Sequence, residues 1–267
     1  MKMDNETTNG EYRCILEGII SVKAAVEAKK RKIYSVWIDK RKKTERDRKV
    51  TAFISFLKEN NVPFELKDRE EIESTLNMFS KNAGSSHGGV IAFAGIREYT
   101  PVSEMLKKAD KNTYFAYFDG IEDPYNLGYA IRTMYALGAG GFILSERNWQ
   151  NADGMLVKSS AGACEFCDIA FAPKDDEKTV EIIKESGLDI VCSAVNKDAV
   201  SVYGFKPEKP FVLFIGGEKR GISEEFMKNA DKTVYIPYKD KKIKYSLPTV
   251  SACSVYAAVF AKELKLL

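Results

Sequence analysis

The chain contains one histidine, His87, in 267 residues, and nowhere does it hold a run of about 18 apolar residues, the length a membrane-spanning helix requires. Cysteine is sparse too. Cys14, Cys164, Cys167, Cys192 and Cys253 are five in number and lie among apolar neighbours, which argues against a disulfide framework and for reduced thiols. Cys164 and Cys167 have the spacing of half a zinc site, but no second pair exists and His87 stands alone, so the pattern supplies no four-ligand set. The pair leads into an apolar strand, where a redox dithiol would precede a helix, and two buried thiols are the better reading. No internal repeat or low-complexity tract occurs. The opening MKMDNETTNG is polar, without an apolar signal core, and the expectation that follows is a cytoplasmic protein.

With 45% hydrophobic and 30% charged residues, the composition is that of an ordinary folded protein able to build a core without staples. The net charge of +3 conceals an uneven distribution. Lys29 to Lys49 holds eleven basic residues against Asp39, Glu45 and Asp47, a local surplus of eight. Such a stretch is either the footprint of a polyanionic partner or a solvated surface.

Apolar periodicity divides the chain in two. After a tail at 1–10 expected to be disordered, Leu16 to Lys30 reads as a helix and Ile33 to Ile38 as a strand. Thr44 is a candidate cap for a helix whose Val50, Phe53, Ile54 and Leu57 form one apolar stripe. Val62 to Leu66 reads as a strand, Asp68 with Glu71 as a helix start, and Gly89 to Gly95 as another strand. These elements make a small α/β domain over 11–96. Arg97 to Asn112, polar and carrying Pro101, reads as a linker over 97–112. From 113 to 267 strands alternate with helices. The expected strands are Tyr114 to Phe118, Gly141 to Leu144, Cys167 to Phe171, Ile190 to Ala194, Val212 to Ile215 and Val234 to Ile236. Near-continuous apolar strands in such an alternation imply a parallel sheet covered on both faces.

Three stretches combine a short apolar run with a turn rich in Gly, Pro, Asn and charge: Asp119 to Leu144, Phe211 to Ser223 and Tyr235 to Phe260. Strand-to-loop junctions of this kind are where open α/β sheets hold ligands. In the first, Pro124 fixes a turn and Asn126 is a natural N-cap for the helix that follows. Arg132 lies four residues beyond Gly128, where a substrate backbone can approach without meeting a Cβ; the plainer reading is a surface charge. In the second, Gly216, Gly217 and Gly221 permit close approach of backbone to a ligand. Walker chemistry is excluded, because the Gly-x4-Gly spacing is not followed by Lys and Ser or Thr. In the third, Thr249 to Leu264 is rich in small residues, which suits close helix packing.

Together these stretches resemble the signature motifs of the SpoU (TrmH-type) branch of the knotted SPOUT methyltransferases, which methylate RNA ribose 2′-hydroxyls with S-adenosyl-L-methionine. Asn126 and Arg132 match the first motif. Ile236, Pro237, Ser246 and Leu247 match the third, in which Pro248 replaces the usual asparagine and Lys239 to Lys244 lengthens the connection. The resemblance implies catalytic roles for Asn126, Arg132, Glu218 and Ser246, with Gly216, Ile236 and Leu247 at the cofactor. Arginine is a poor base because its guanidinium stays protonated, so Arg132 is expected to hold the target phosphate and stabilise charge on the 2′-oxygen. Glu218 is expected to orient the arginine or the ribose.

The same resemblance implies an L30e-like RNA-binding domain, with His87 near its end and without catalytic role, followed by a Rossmann-like SPOUT domain whose C-terminal stretch forms a trefoil knot. It also implies a homodimer through the last helix, with RNA, ribosomal RNA first, as partner. Transfer RNA as the substrate, a base as the methyl acceptor, and a catalytically silent RNA-binding or ribosome-assembly protein are the alternatives, the last motivated by Pro248.

Overall fold

The computed structural model describes residues 14–44, 47–79, 87–145, 149–217, 220–240 and 246–267. The expected tail at 1–10 and residue Glu218 lie outside them. In chain order the first elements are β1 (Cys14–Glu17), α1 (Ile19–Ala28), β2 (Ile33–Asp39), α2 (Lys40–Thr44), α3 (Arg48–Glu59), β3 (Phe64–Lys67), α4 (Arg69–Phe79) and β4 (Val90–Ala94). Then follow α5 (Val102–Leu106), β5 (Tyr114–Asp119), α6 (Pro124–Ala136), β6 (Phe142–Leu144), α7 (Asp153–Ser159), α8 (Ala163–Phe166) and β7 (Ile169–Phe171). The remainder is α9 (Asp176–Glu185), β8 (Asp189–Ser193), β9 (Val200–Ser201), β10 (Phe211–Gly216), α10 (Glu224–Lys228), β11 (Lys232–Tyr235) and α11 (Thr249–Glu263).

The chain divides into two units, Met1–Glu98 with Asn148–Phe166, and Tyr99–Arg147 with Cys167–Leu267. In the first, a four-stranded mixed sheet has the order β1-β4-β2-β3. The expected helix from Leu16 to Lys30 is two elements instead. Cys14 to Glu17 pairs antiparallel with β4, in register Cys14 with Ala94, and Gly18 at φ +84° breaks the strand from α1. The stripe on α3 holds: Val50, Phe53 and Leu57 are buried and Ile54 is half-buried. Its cap is Asp47, whose side chain accepts from the N–H groups of Lys49 and Val50, and not Thr44, which closes α2. His87, buried beside β4, accepts the Gly89 N–H at Nδ1 over 3.1 Å. Burial, helped by Arg69, lowers its pKa.

This unit also takes in α7 and α8, from a segment expected within 113–267. A buried ion network accounts for it. Arg31 Nη1 meets Asp153 Oδ2 at 2.6 Å, and its Nη2 and Nε reach both oxygens of Glu165 at 2.8 and 3.2 Å. Burial opposes the guanidinium charge, but Asp153 and Glu165 overcome that and raise its pKa further.

The second unit is a seven-stranded sheet of order β7-β6-β5-β10-β8-β11-β9, with every pairing parallel. Alternation along β5 and β10 builds both faces. Phe115, Tyr117, Val212 and Phe214 point into a core closed by Met105, Val180, Ile183 and Phe226. Tyr114 and Phe211 point the other way, to Phe260 of α11 at 5.4 and 5.1 Å between ring centroids. The expected linker at 97–112 contains α5, because Val102, Met105 and Leu106 at i, i+3 and i+4 supply a buried stripe. The two-residue strand β9 has too little pattern to be read from sequence. Among the described residues no helix is long and apolar enough to cross a membrane, and no cluster of His, Cys, Asp and Glu could hold a metal ion.

Candidate active site

All seven strands of the second unit run the same way, so their carboxyl ends form one edge, and all three motif loops leave from it: after β5, after β10 and after β11. From β5 the chain turns to β6 and β7 on one side, whereas β10, β8, β11 and β9 lie on the other. The reversal falls between β5 and β10, whose last residues, Asp119 and Gly216, are opposite one another in register. A topological switch point of this kind splays the loops apart and leaves a crevice for a ligand.

At the head of α6 the cap is Asp123, not Asn126. Its Oδ1 accepts the Tyr125 N–H at 2.9 Å, and Pro124 fills the first helical position, where no amide donor is needed. Asn126 therefore sits within the first turn, half-buried. Leu127, Ala130, Ile131 and Met134 face inward, and α6 packs on α11. Gly128 is itself buried, while Arg132 one turn later is exposed. Tyr125 and Tyr129, 40% and 46% exposed, lie on the same helix face as Arg132.

The loop after β10 is drawn tight. A Cβ at Gly216 would lie 2.8 Å from the Gly221 carbonyl carbon and 2.9 Å from the Ile222 nitrogen, and one at Gly217 would collide with the Gly120 carbonyl. Gly216 lets the chain approach residues 221 and 222, and Gly217 lets it lie against the loop after β5. Of Gly216, Gly217 and Gly221, only Gly221 has open space where a side chain would be. Asp119, buried at the end of β5, gathers the same loop. Its main-chain oxygen accepts the Gly217 N–H at 2.7 Å, its Oδ2 accepts the Ser223 N–H at 2.8 Å and its Oδ1 meets Arg220 Nη2 at 2.7 Å. Ser223 Oγ is buried without a partner among the described residues.

In the third loop, Ile236 is half-buried and Ser246 exposed. The Leu247 N–H donates to Tyr238 Oη at 2.9 Å, closing the loop on itself. Pro248 is the N-cap of α11 and offers only its carbonyl, which accepts the Ala252 N–H at 3.0 Å. On α11 the small residues Cys253, Ala257 and Ala261 are buried, while Ser251 and Ala258 are exposed. Burial pushes the thiols of Cys192 and Cys253 up to about 12, so neither acts as a nucleophile near neutral pH.

The structure thus brings Gly216 to the switch point and places Asn126 and Arg132 on the helix leaving it. Ser246 and Leu247 stand on the segment entering α11, which packs on that helix. Asp119, Arg220, Ser223 and Tyr238 were not singled out from the sequence. The only signal at Asp119 was a lone acid ending a strongly apolar strand.

A family model described as SpoU rRNA Methylase matches residues 113–256, and one described as RNA 2'-O ribose methyltransferase substrate binding matches residues 15–100. An uncharacterized tRNA/rRNA methyltransferase of Synechocystis is 29% identical over 184 residues, spanning 68% of this chain and 47% of that protein. The 23S rRNA (guanosine-2'-O-)-methyltransferase RlmB of Pseudomonas putida is 22% identical over 256 residues, 93% of this chain and 96% of its own length. Among solved structures, the AdoMet-bound rRNA methyltransferase of Sinorhizobium meliloti superposes with a TM-score of 0.72 at 21% identity, covering 94% of this chain and 87% of that one.

Proposed function

The chain belongs to the SpoU rRNA methylase family, whose model matches more than half of it, and from that premise we propose that it methylates a ribose 2′-hydroxyl of RNA with S-adenosylmethionine, ribosomal RNA being the favoured substrate. The observation that carries the reading is the convergence of three motif loops on the carboxyl edge of one parallel sheet, at its switch point. The edge suits the cofactor: a glycine loop with open space at Gly221 and a buried Ser223 hydroxyl lacking a partner offer a small polar ligand both room and a hydrogen bond. Gly216, Ile236 and Leu247 would hold it. When bound, it supplies an electrophilic methyl group on a sulfonium. What the protein must add is an in-line 2′-oxygen of raised negative charge. Arg132, a permanent cation, would hold the neighbouring phosphate and stabilise that oxygen while the 2′-hydroxyl proton passes to water. Asn126, Glu218 and Ser246 orient ribose and arginine around it.

The first unit, matched by the substrate-binding model, presents RNA as an L30e-like module. The C-terminal loops thread the trefoil knot, two copies associate through α11, and an RNA substrate with reduced buried thiols suits the cytoplasm. The test is incubation with labelled S-adenosylmethionine and bulk ribosomal and transfer RNA, followed by nucleoside analysis. Labelled 2′-O-methylnucleosides from ribosomal RNA are expected. Label in a base, in transfer RNA alone, or in nothing overturns the reading in favour of one of its rivals.

Gly216→Val drives a side chain into the backbone of Gly221 and Ile222, an overpacking that costs about 1–3 kcal/mol, so both melting temperature and S-adenosylmethionine affinity should fall. Parent-like values in calorimetry for both remove Gly216 from the site. In the first unit, Lys40 pairs with Asp68 at 2.6 Å, Arg41 with Asp39 at 3.3 Å and Glu70 at 3.9 Å, and Lys42 with Asp47 at 3.8 Å. All but the Arg41 pair with Asp39, whose carboxylate is buried, are open to water; such open pairs are weak and yield readily to phosphate. Replacing Lys40, Arg41, Lys42 and Lys43 with Ser should weaken RNA binding and reduce the slope of log K against log salt by about 0.7 to 0.9 for each phosphate no longer neutralised. An unchanged slope means that RNA is held by another face.

A further inference from the structure

We propose that Asp119 is a positioning residue that sets methyl-donor affinity by holding Gly217, Arg220 and Ser223 in place after β10. The proposal rests on the methyltransferase reading for the ligand, and on geometry alone for the pinning. Asp119 is 2% exposed, and a carboxylate buried to that degree is costly unless charge and hydrogen bonds answer it. Among the described residues its partners Gly217, Arg220 and Ser223 all follow β10. Its main-chain oxygen holds the Gly217 N–H where the loop begins, its Oδ1 holds Arg220 at the middle, and its Oδ2 holds the Ser223 N–H where the loop ends. Between β10 and α10 the described residues form no regular element, so these bonds, the close approach of the glycines and the packing of Ile222 on the core hold their path.

The three bonds are not equivalent. Arg220 is 66% exposed at its side chain, and an ion pair open to water contributes little by itself. Its place is nevertheless prepared, because Gly120 at φ +83° carries no side chain where a Cβ would lie 3.0 Å from Arg220 Nε. The bond from the Ser223 amide to the buried carboxylate is charge-assisted and shielded, and carries more. It also fixes the residue whose hydroxyl lacks a partner. A loop already held in its binding shape loses less freedom when the ligand arrives, which is how a residue that does not touch the ligand raises affinity.

Asp119→Ala, Asp119→Asn and Arg220→Gln separate the contributions. Asn keeps an oxygen acceptor for Ser223 but loses the charge, and Arg220→Gln removes only the ion pair. Calorimetry with S-adenosylmethionine on the full chain should show affinity falling about tenfold or more in Asp119→Ala, less in Asp119→Asn and least in Arg220→Gln. With RNA, KM for the cofactor should rise by a larger factor than kcat at saturation falls, a split that general destabilisation does not produce. Amide exchange read by NMR should speed up at Ser223 in Asp119→Ala, and less at Gly217, whose partner is a main-chain oxygen. Unchanged affinity and unchanged Ser223 exchange in folded Asp119→Ala overturn the proposal. If that variant does not fold, the same parent-like values in Asp119→Asn overturn it. A parent chain that binds no S-adenosylmethionine defeats the methyltransferase reading, and Ser223 exchange then still decides whether Asp119 pins the loop.

Discussion

Arg132→Ala should lower kcat by about 10²- to 10³-fold, the usual cost of removing one preorganised donor from a developing oxyanion, while S-adenosylmethionine affinity stays near that of the parent. The separation of effects follows from placement. Arg132 is exposed on α6 and is not among the atoms that meet the glycines of the loop after β10, so its loss should take away a cation without disturbing that loop. Stability should barely change, since Leu127, Ala130, Ile131 and Met134 carry the packing of that helix. Arg132→Lys should recover only part of the activity, because an ammonium restores the charge and not the planar fork that grips phosphate in two bonds. Single-turnover methylation, with calorimetry for the cofactor, measures both quantities. Activity within a factor of a few of the parent would remove Arg132 from catalysis and leave it a surface charge on α6.

The legibility of the chain tracks the range of the forces involved. β5 and β10 could be read directly, because a strand buried on both faces must be apolar at nearly every position, and Tyr114 to Phe118 and Val212 to Ile215 are. Asp119, one residue further on, carried no decisive local mark, for its partners Arg220 and Ser223 lie 101 and 104 positions away. The residues of β1 have the local pattern of a helix for a related reason. Its apolar residues run straight into those of α1, and only pairing with Ala94 and its neighbours across the sheet selects strand. Asn126 and Asp123 are both good caps, and the choice rested on one turn of geometry around Pro124. The partition of 149–166 into the first unit depends on Arg31, and no local periodicity could reveal that Asp153 and Glu165 answer a charge more than a hundred residues earlier.

That buried network yields the second large effect, on stability. Arg31→Met should destabilise the first unit by about 3–5 kcal/mol, the cost of removing one partner from a buried ion pair. The arginine side chain is fully buried and answers two carboxylates, those of Asp153 and Glu165; it also donates to Cys14 Sγ at 3.0 Å and to the Gly95 carbonyl at 3.4 Å. Without it, two acids remain in a space closed to water, and each must take up a proton to stay there. The folded variant then holds more protons than its unfolded chain, so its stability falls as pH rises through and above the ordinary carboxylate range and is partly restored toward pH 5. The parent, whose guanidinium stays charged throughout, should lack that rise. Apolar replacement of all three residues, Arg31→Met with Asp153→Leu and Glu165→Leu, should recover much of the loss, since a well-packed apolar set of similar volume is often neutral against a buried ion pair. Urea unfolding of the three proteins at pH 5 and pH 8 checks the argument, and a single variant as stable as the parent at pH 8 would show that the network does not hold α7 and α8 in the first unit.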